Sequence, residues 1–171
     1  MILNRIIVSE DQISARVGEL ADEIDSAYFG QRVLIIGALK GAFVFVADLV
    51  RRMMTETEVD FLSLSSYGVD SRSSGTVETR LGLSSDITGR HVLIVDDILD
   101  TGVTLSHAVE VLKAQSPASV KVCVLLDKPE RRIAQISADF IGFAIPDVFV
   151  VGYGMDYAER WRGLPYIADV S

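Results

Sequence analysis

The sequence is poor in cysteine, histidine and proline: its 171 residues include one, two and four of them. One thiol, Cys123, excludes an intramolecular disulfide and a cysteine-rich metal site. Two histidines that are far apart in the chain do not make a zinc site. The cysteine lies within an apolar stretch, which favours a buried, inert thiol in a reducing compartment. We therefore expect an apolar core, rather than a covalent or metal cross-link, to hold the fold together.

Positive charge is also scarce, because 16 lysines and arginines face 24 acidic residues and the formal net charge is −8. Such a chain is a poor non-specific binder of nucleic acid or of an anionic membrane surface, so we expect neither as a partner. The most apolar window, Val33 to Val50, is interrupted by Lys40 and Asp48, and no secretory signal pattern is visible. We expect a cytoplasmic protein.

Hydrophobic residues make up 49% of the chain, and this length suits one domain with a substantial core. Hydrophobic periodicity and a capping-box pattern at Ser9 and Gln12 predict helices over 9–28, 42–54 and 104–114. Short apolar runs predict strands over 33–36, 61–66, 92–95, 120–126, 138–143 and 148–151, and the composition of 68–76 indicates a loop. This alternation favours an α/β fold with a mainly parallel sheet.

Ligands of such sheets bind at the carboxyl ends of the strands, so the loops at 37–41, 67–77, 96–104 and 127–132 are the candidate sites. The most informative run places Asp96, Asp97 and Asp100 after the 92–95 strand and then opens a helix with Thr101-Gly102-Val103-Thr104. A helix N-terminus with nearby hydroxyls suits a phosphate, and Gly102 permits close approach.

The two adjacent carboxylates, Asp96 and Asp97, suit ribose hydroxyls, either directly or through a divalent cation. The alternative is that Asp100 merely caps the helix and the acid pair is solvated. It is disfavoured for the full run, because three crowded carboxylates repel one another and lower stability.

This run resembles the phosphoribosyl-pyrophosphate (PRPP) motif of the type I phosphoribosyltransferases. Over residues 5 to 168 the sequence is similar to one branch of them, the hypoxanthine (6-oxopurine) phosphoribosyltransferases. Four further segments carry the resemblance: Leu39-Lys40-Gly41 (pyrophosphate loop), Ser66-Tyr67-Gly68 (flexible catalytic loop), 127–132 (with the purine-reading lysine) and 146–166 (C-terminal signature).

The resemblance implies the type I phosphoribosyltransferase fold, a mainly parallel twisted sheet flanked by helices, with a small hood. The core would span about residues 30–145, and the hood would combine the N-terminal segment with about 146–171. It also implies a purine salvage enzyme that joins hypoxanthine or guanine to PRPP at N9, uses Mg²⁺, and forms IMP or GMP and pyrophosphate. The family forms homodimers or homotetramers, and a mean hydropathy of +0.33 is consistent with subunit contacts.

On the ribose and phosphate side, the resemblance makes Asp100 the general base or acid at purine N7, or alternatively only a hydrogen-bonding orienter. Asp96 and Asp97 would face the ribose hydroxyls and a Mg²⁺ ion. The 5′-phosphate would lie against the backbone N–H groups and hydroxyls of Asp100, Thr101, Gly102, Val103 and Thr104, with Val103 at a position that varies in the family.

On the base and pyrophosphate side, Lys128 would donate to purine O6, Phe149 would stack on the ring, and the main chain near Val150 and Asp156 would read position 2. Asp156 would also bind a second Mg²⁺. Pyrophosphate would contact Arg162, Gly41 and the Leu39–Lys40 peptide, which the family often holds cis. Ser66, Tyr67 and Gly68 would close over the reacting centre.

Several alternatives remain open. Lys128 could be a surface lysine in a charged cluster, Phe149 could be a core residue, and the loop that follows Ser66 could be an ordinary hairpin. A PRPP-binding regulator with the same fold would need a nucleic-acid-binding surface, which the acidic charge disfavours. A sister enzyme could prefer xanthine or guanine, whereas a pyrimidine is disfavoured by Lys128 and Phe149.

Overall fold

The computed structural model describes residues 2–65 and 78–170, so the predicted loop at 68–76 and the residues Ser66, Tyr67 and Gly68 lie outside the described part. The described strands are β1 (Leu3–Val8), β2 (Val33–Leu39), β3 (Thr57–Ser65), β4 (Glu78–Leu81), β5 (His91–Leu99), β6 (Ser119–Asp127), β7 (Phe140–Ala144), β8 (Val150–Val151) and β9 (Ile167–Val170). The helices are α1 (Glu10–Ala27), α2 (Phe43–Val50) and α3 (Val103–Lys113), and a short 3₁₀ turn covers Pro129–Arg131.

The larger sheet has the strand order β4-β3-β2-β5-β6-β7. Five neighbouring strands of this sheet, β3, β2, β5, β6 and β7, pair in parallel. The edge strand β4 pairs antiparallel with β3. The prediction of a mainly parallel sheet flanked by helices is therefore confirmed. Because β2, β5 and β6 all point the same way, the residues that follow them meet at one edge of the sheet.

Helix α1 begins where the capping box predicts. The Ser9 hydroxyl accepts a hydrogen bond from the Gln12 N–H, and the Gln12 side chain accepts one from the Ser9 N–H. Its buried face consists of Ile13, Val17, Leu20, Ala21 and Ile24, the residues that carry the helical periodicity. Among the helices that the structure describes, none combines the length and the apolar character needed to cross a membrane.

A second, three-stranded sheet joins the two ends of the chain in the order β1-β9-β8. Leu3 is opposite Val170, and Val150 is opposite Asp169. The hood of the expected fold is confirmed in this sheet, while the boundaries near residues 30 and 145 stay a prediction. Strands β1 and β9 were not predicted, because they depend on a partner more than 150 residues away and β1 has no clean alternation of buried and exposed side chains.

Several predicted boundaries need correction: β2 continues to Leu39 and β3 begins at Thr57, while β7 and β8 each begin two residues later than predicted. Helix α2 ends at Val50 rather than Met54, because the Asp25 carboxylate accepts hydrogen bonds from the Met54 and Thr55 N–H groups and turns the chain away. Strand β5 continues through Leu99, so Asp96 and Asp97 lie within the last four residues of the strand rather than beyond its end. Leu99 still pairs with Asp127 of β6, and this pairing carries the strand to the edge of the site.

A buried carboxylate, Asp60 on β3, fixes the segment that leads from β4 to β5. It accepts hydrogen bonds of 2.8–3.1 Å from the Phe61 N–H, the Ser84 N–H and hydroxyl, and the Ser85 N–H. Burial by itself would raise the pKa of Asp60, but these hydrogen bonds outweigh it and hold the pKa below the ordinary value.

Replacing this carboxylate should change how stability depends on pH. A depressed pKa in the folded state adds free energy of unfolding above the ordinary carboxyl pKa of about 3.9, and this part is lost as the pH falls through the folded value. We expect Asp60→Asn to lower the free energy of unfolding by about 2 kcal/mol near neutral pH and to flatten its decline in acid. Urea unfolding over a pH series measures both. The exposed Asp22→Asn is the control, and an unchanged slope in Asp60→Asn would contradict the assignment.

Candidate active site

A cavity of about 470 Å³ opens at the carboxyl ends of β2, β5 and β6, against the hood. That volume is within the usual range for a small-molecule site. Nine predicted site residues line it: Lys40, Gly41, Asp97, Asp100, Lys128, Phe149, Val150, Asp156 and Arg162. Leu39, Asp96 and Thr101–Thr104 are adjacent to it in the chain but do not line it. Ile98, Arg131 and Met155 line it and were not predicted.

The run Thr101–Thr104 forms the N-terminus of a helix, and no side chain caps that helix. Helix α3 begins after Gly102, whose φ of 80° is in the left-handed region that favours glycine. Asp100 is two residues before that cap position, so the interpretation of Asp100 as a helix cap is wrong. The Val103 N–H has only a long 3.5 Å contact, to the Thr101 hydroxyl, which leaves the first turn able to bind an anion.

An arginine that sequence reasoning missed supports this loop from behind. The Arg132 guanidinium donates to the carbonyl groups of Asp100 and Ile136 at 3.0 and 2.7 Å and is also paired with Asp127. A Cβ on Gly102 would lie 2.9 Å from the Arg132 side chain and 2.6 Å from Ile136. Gly102 therefore serves both the turn and the close packing of the supporting segment.

The two adjacent carboxylates are hydrogen-bonded to the strand end itself. Asp96 accepts from the Asp97 N–H and Asp97 accepts from the Ile98 N–H, both at 2.9 Å. Burial raises the pKa of Asp96, and repulsion from Asp97 raises it further. Burial also raises the pKa of Asp97, although hydrogen bonds and the positive charge of Arg162 oppose this. A bound cation would relieve the repulsion.

The donor set fits Mg²⁺ carried by a substrate. Among residues 2–65 and 78–170 no group of three or more histidine, cysteine or acidic side chains is arranged to hold a metal alone. Mg²⁺ at phosphate-binding sites usually takes one or two carboxylates together with water and substrate oxygens. The third predicted ligand, Asp156, is engaged in the protein: its two oxygens contact Arg162 at 2.8 Å and the Glu159 N–H at 2.7 Å.

An acidic residue that was not predicted, Glu159, contacts both cations of the cavity. The Lys40 ammonium lies 3.0 Å from the Glu159 carboxylate, and Arg162 lies 3.3 Å from it. The Leu39–Lys40 peptide bond is cis. An incoming anion could replace Glu159 at Lys40, since both side chains of that pair are exposed and exposed ion pairs are weak.

The other side of the cavity combines a buried cation with an exposed aromatic ring. Lys128 is only 4% exposed, which excludes the surface-lysine interpretation, and Phe149 is 50% exposed, which excludes simple core packing. The Phe149 ring meets Tyr157 edge-on at 5.8 Å, and Tyr157 stacks on Trp161 at 6.3 Å. Trp161 is thus a packing residue that supports the ring at the cavity.

Three segments approach so closely at Gly41 that no side chain fits there. A Cβ on Gly41 would lie 1.8 Å from the Asp97 Oδ2 atom. A Cβ on Gly154, in the hood, would lie 2.1 Å from the Gly41 carbonyl oxygen. The ends of β2 and β5 and the hood therefore fix one another's positions.

Comparisons with known proteins agree with this geometry. The model of the phosphoribosyl transferase domain family matches residues 7–158, and the chain belongs to that family. The hypoxanthine-guanine phosphoribosyltransferase of Bacillus subtilis is 48% identical over 96% of this chain and 92% of its own. The hypoxanthine phosphoribosyltransferase of Escherichia coli is 46% identical over 96% and 94%.

Solved structures point to the same branch of the family. A crystal structure of a hypoxanthine-guanine phosphoribosyltransferase from Bacillus anthracis superposes with a TM-score of 0.95 at 42% identity. The match covers 99% of this chain and 100% of the other. The predicted family and fold are confirmed.

The contact at Gly41 yields a direct test. We expect Gly41→Ala to lower the kcat/KM of phosphoribosyl transfer by about 100-fold, because shifting a catalytic group by about 1 Å costs that much. The steady-state rate measures this, with circular dichroism to show that the variant folds. Gly18→Ala is the matched control, since its Cβ would meet nothing within 4 Å. A Gly41→Ala enzyme with an unchanged rate would contradict the steric argument.

Proposed function

We propose that this chain is a purine salvage enzyme that transfers the 5-phosphoribosyl group of PRPP to N9 of hypoxanthine and of guanine, giving IMP or GMP and pyrophosphate. The observation that carries the proposal is the composition of one cavity. A buried lysine, an exposed aromatic ring and Asp100 line it together with the cations Lys40 and Arg162. The relatives with this name cover nearly the whole chain.

The phosphoribosyl end of PRPP would bind at the start of α3. The backbone N–H groups of the first turn and the hydroxyls of Thr101 and Thr104 donate to the 5′-phosphate, and the helix dipole favours its negative charge. Gly102 allows the phosphate to approach the backbone. Asp96 and Asp97 accept hydrogen bonds from the ribose hydroxyls, or would hold those hydroxyls through a Mg²⁺ ion that both partners coordinate.

The pyrophosphate end would bind at the cations across the cavity. Lys40, Arg162 and the backbone of Leu39–Gly41 hold its oxygens, and Glu159 gives up its contacts to both cations. Asp156 would contribute a carboxylate oxygen to a second Mg²⁺ on this side, and that ion would supply positive charge near the pyrophosphate oxygens. These residues stabilise the leaving group as its negative charge develops.

In the transfer, the C1′–O bond to pyrophosphate breaks before the C1′–N9 bond is complete, and the bonding electron pair leaves with pyrophosphate. The ribose is cation-like at that stage. Purine N9 then donates its electron pair to C1′, and the Asp100 carboxylate takes the proton that the purine releases at N7. Asp100 lines the cavity, as this role requires.

The base would be recognised by its O6 edge and its face. The Lys128 ammonium donates to O6, whereas the amino group of adenine offers a donor to a donor. Phe149 stacks on the ring, which its exposed position allows. The backbone at Val150 and Asp156 reads position 2, and this leaves the order of preference among hypoxanthine, guanine and xanthine to be measured.

The same cavity would serve a second candidate, a PRPP-binding regulator, but no described residues favour that function.

We also propose a cytoplasmic homodimer or homotetramer. Helix α2 supports self-association, because its sequence is apolar apart from Asp48 and Phe43 is 44% exposed.

A product assay tests the proposed reaction. Purified protein is mixed with Mg²⁺, PRPP and one of hypoxanthine, guanine, xanthine and adenine, and the nucleotides are separated by chromatography. We expect IMP and GMP, no product with a chelator, and a loss of at least about 100-fold in kcat for Asp100→Asn, as for removal of a general base. PRPP binding without consumption of any base would overturn the enzyme assignment and favour the regulator.

Lys128 provides a separate test of base selection. We expect Lys128→Met to raise the KM for hypoxanthine by about 10- to 100-fold, because a charge-assisted hydrogen bond of about 1.5–3 kcal/mol is lost. The KM for PRPP should change little. Lys113→Met, an exposed position on α3, is the control. If the ratio of hypoxanthine to adenine use is unchanged in Lys128→Met, then Lys128 does not read O6.

A further inference from the structure

An arginine to which the resemblance assigns no role lies between two carboxylates at the wall of the cavity. The Arg131 Nε atom is 3.0 Å from the Asp100 Oδ1 atom, and its Nη1 atom is 3.4 Å from the Asp147 Oδ1 atom. Arg131 lines the cavity with Asp100, Lys128 and Phe149. It therefore contacts the purine side of the site rather than bulk solvent alone.

The three charged residues come from three separate segments of the site. Asp100 follows β5, and Arg131 ends the 3₁₀ turn that begins directly after Lys128. Asp147 is two residues before Phe149 in the segment that leads into β8. The Arg131 guanidinium thus joins Asp100 to the segment that carries Phe149, and its own backbone lies three residues after Lys128.

The contact between Arg131 and Asp100 is made to the Oδ1 atom of the carboxylate. The Oδ1 atom is buried and has no hydrogen-bond partner among the described residues. The Arg131 Nε atom is within hydrogen-bonding distance of it, but its N–H is not directed at the oxygen, so the contact is an ion pair. A buried, unpaired carboxylate oxygen is costly, and the guanidinium provides compensation. With Oδ1 paired to Arg131, the Oδ2 atom is the one that would contact the substrate.

We propose that Arg131 is a positioning residue for purine attack, which holds Asp100 by Oδ1 and, through Asp147, fixes the segment that carries Phe149. The proposal rests on the proposed function, because it gives Asp100 the proton at N7. Arg131 is expected to act on the step that uses the base and not on PRPP binding, since its contacts are with Asp100 and Asp147 and not with the pyrophosphate-side cations.

The experiment compares three single variants, Arg131→Gln, Arg131→Lys and Asp147→Asn. Arg131→Gln is also made in the Asp100→Asn background. Both KM values and kcat are measured. We expect Arg131→Gln to lower kcat/KM for hypoxanthine about tenfold, with the KM for PRPP changed less than about twofold. Arg131→Lys should recover part of the loss, and Asp147→Asn should lose about threefold. Glu130→Gln, exposed on the same turn, is the control.

The Asp100→Asn background separates the possible outcomes. If Arg131 acts through Asp100, adding Arg131→Gln to Asp100→Asn causes little further loss, since the two changes remove one shared interaction. The same tenfold loss in both backgrounds, or no loss in the wild-type background, overturns the proposal. Failure of the proposed function is visible separately, as full activity of Asp100→Asn alone.

Discussion

The site depends on the close approach of three backbone segments at Gly41. The Asp97 carboxylate occupies the space that a side chain at Gly41 would need, and the Gly41 carbonyl occupies the space that one at Gly154 would need. Any side chain there would separate the pyrophosphate loop, the acid pair and the hood. A displacement of a reacting group by about 1 Å can cost about 100-fold in rate, so the close contacts at the two glycines matter for the geometry of the site.

Charge is arranged around this contact so that an anionic, metal-bearing substrate completes it. Burial and mutual repulsion raise the pKa of Asp96, a strain that a cation would relieve. On the opposite side the Lys40 and Arg162 cations are paired with Glu159, which an incoming anion could replace. The Lys40–Glu159 pair is exposed to water on both sides and is therefore weak enough to exchange.

Local patterns predicted much of the fold and of the site. The capping box at Ser9, the buried runs of β2, β5 and β6, and the glycine before α3 each depend on neighbours in sequence. The strands β1 and β9 were missed because their pairing is long-range. Lys128 lines the cavity, as the resemblance implies, whereas the contacts of Arg131 and Glu159 were missed because nothing near them in sequence indicates which carboxylate or cation they meet.

The sequence by itself determined the class of protein, the side chains available for catalysis, and the edge of the sheet at which they gather. The class and the side chains followed from the resemblance of the run around Asp96–Thr104 and of four further segments to a known family. The edge of the sheet followed from the alternation of strands and helices, which favours parallel strands whose carboxyl ends meet. The tertiary structure alone decided which oxygen of Asp100 is enclosed, that Lys128 is buried while Phe149 is exposed, and that Gly41 must lack a side chain. Those properties depend on segments that are distant in the chain, such as Gly41 and Asp97 or Asp100 and Arg131, whose contacts exist only once the fold has packed together.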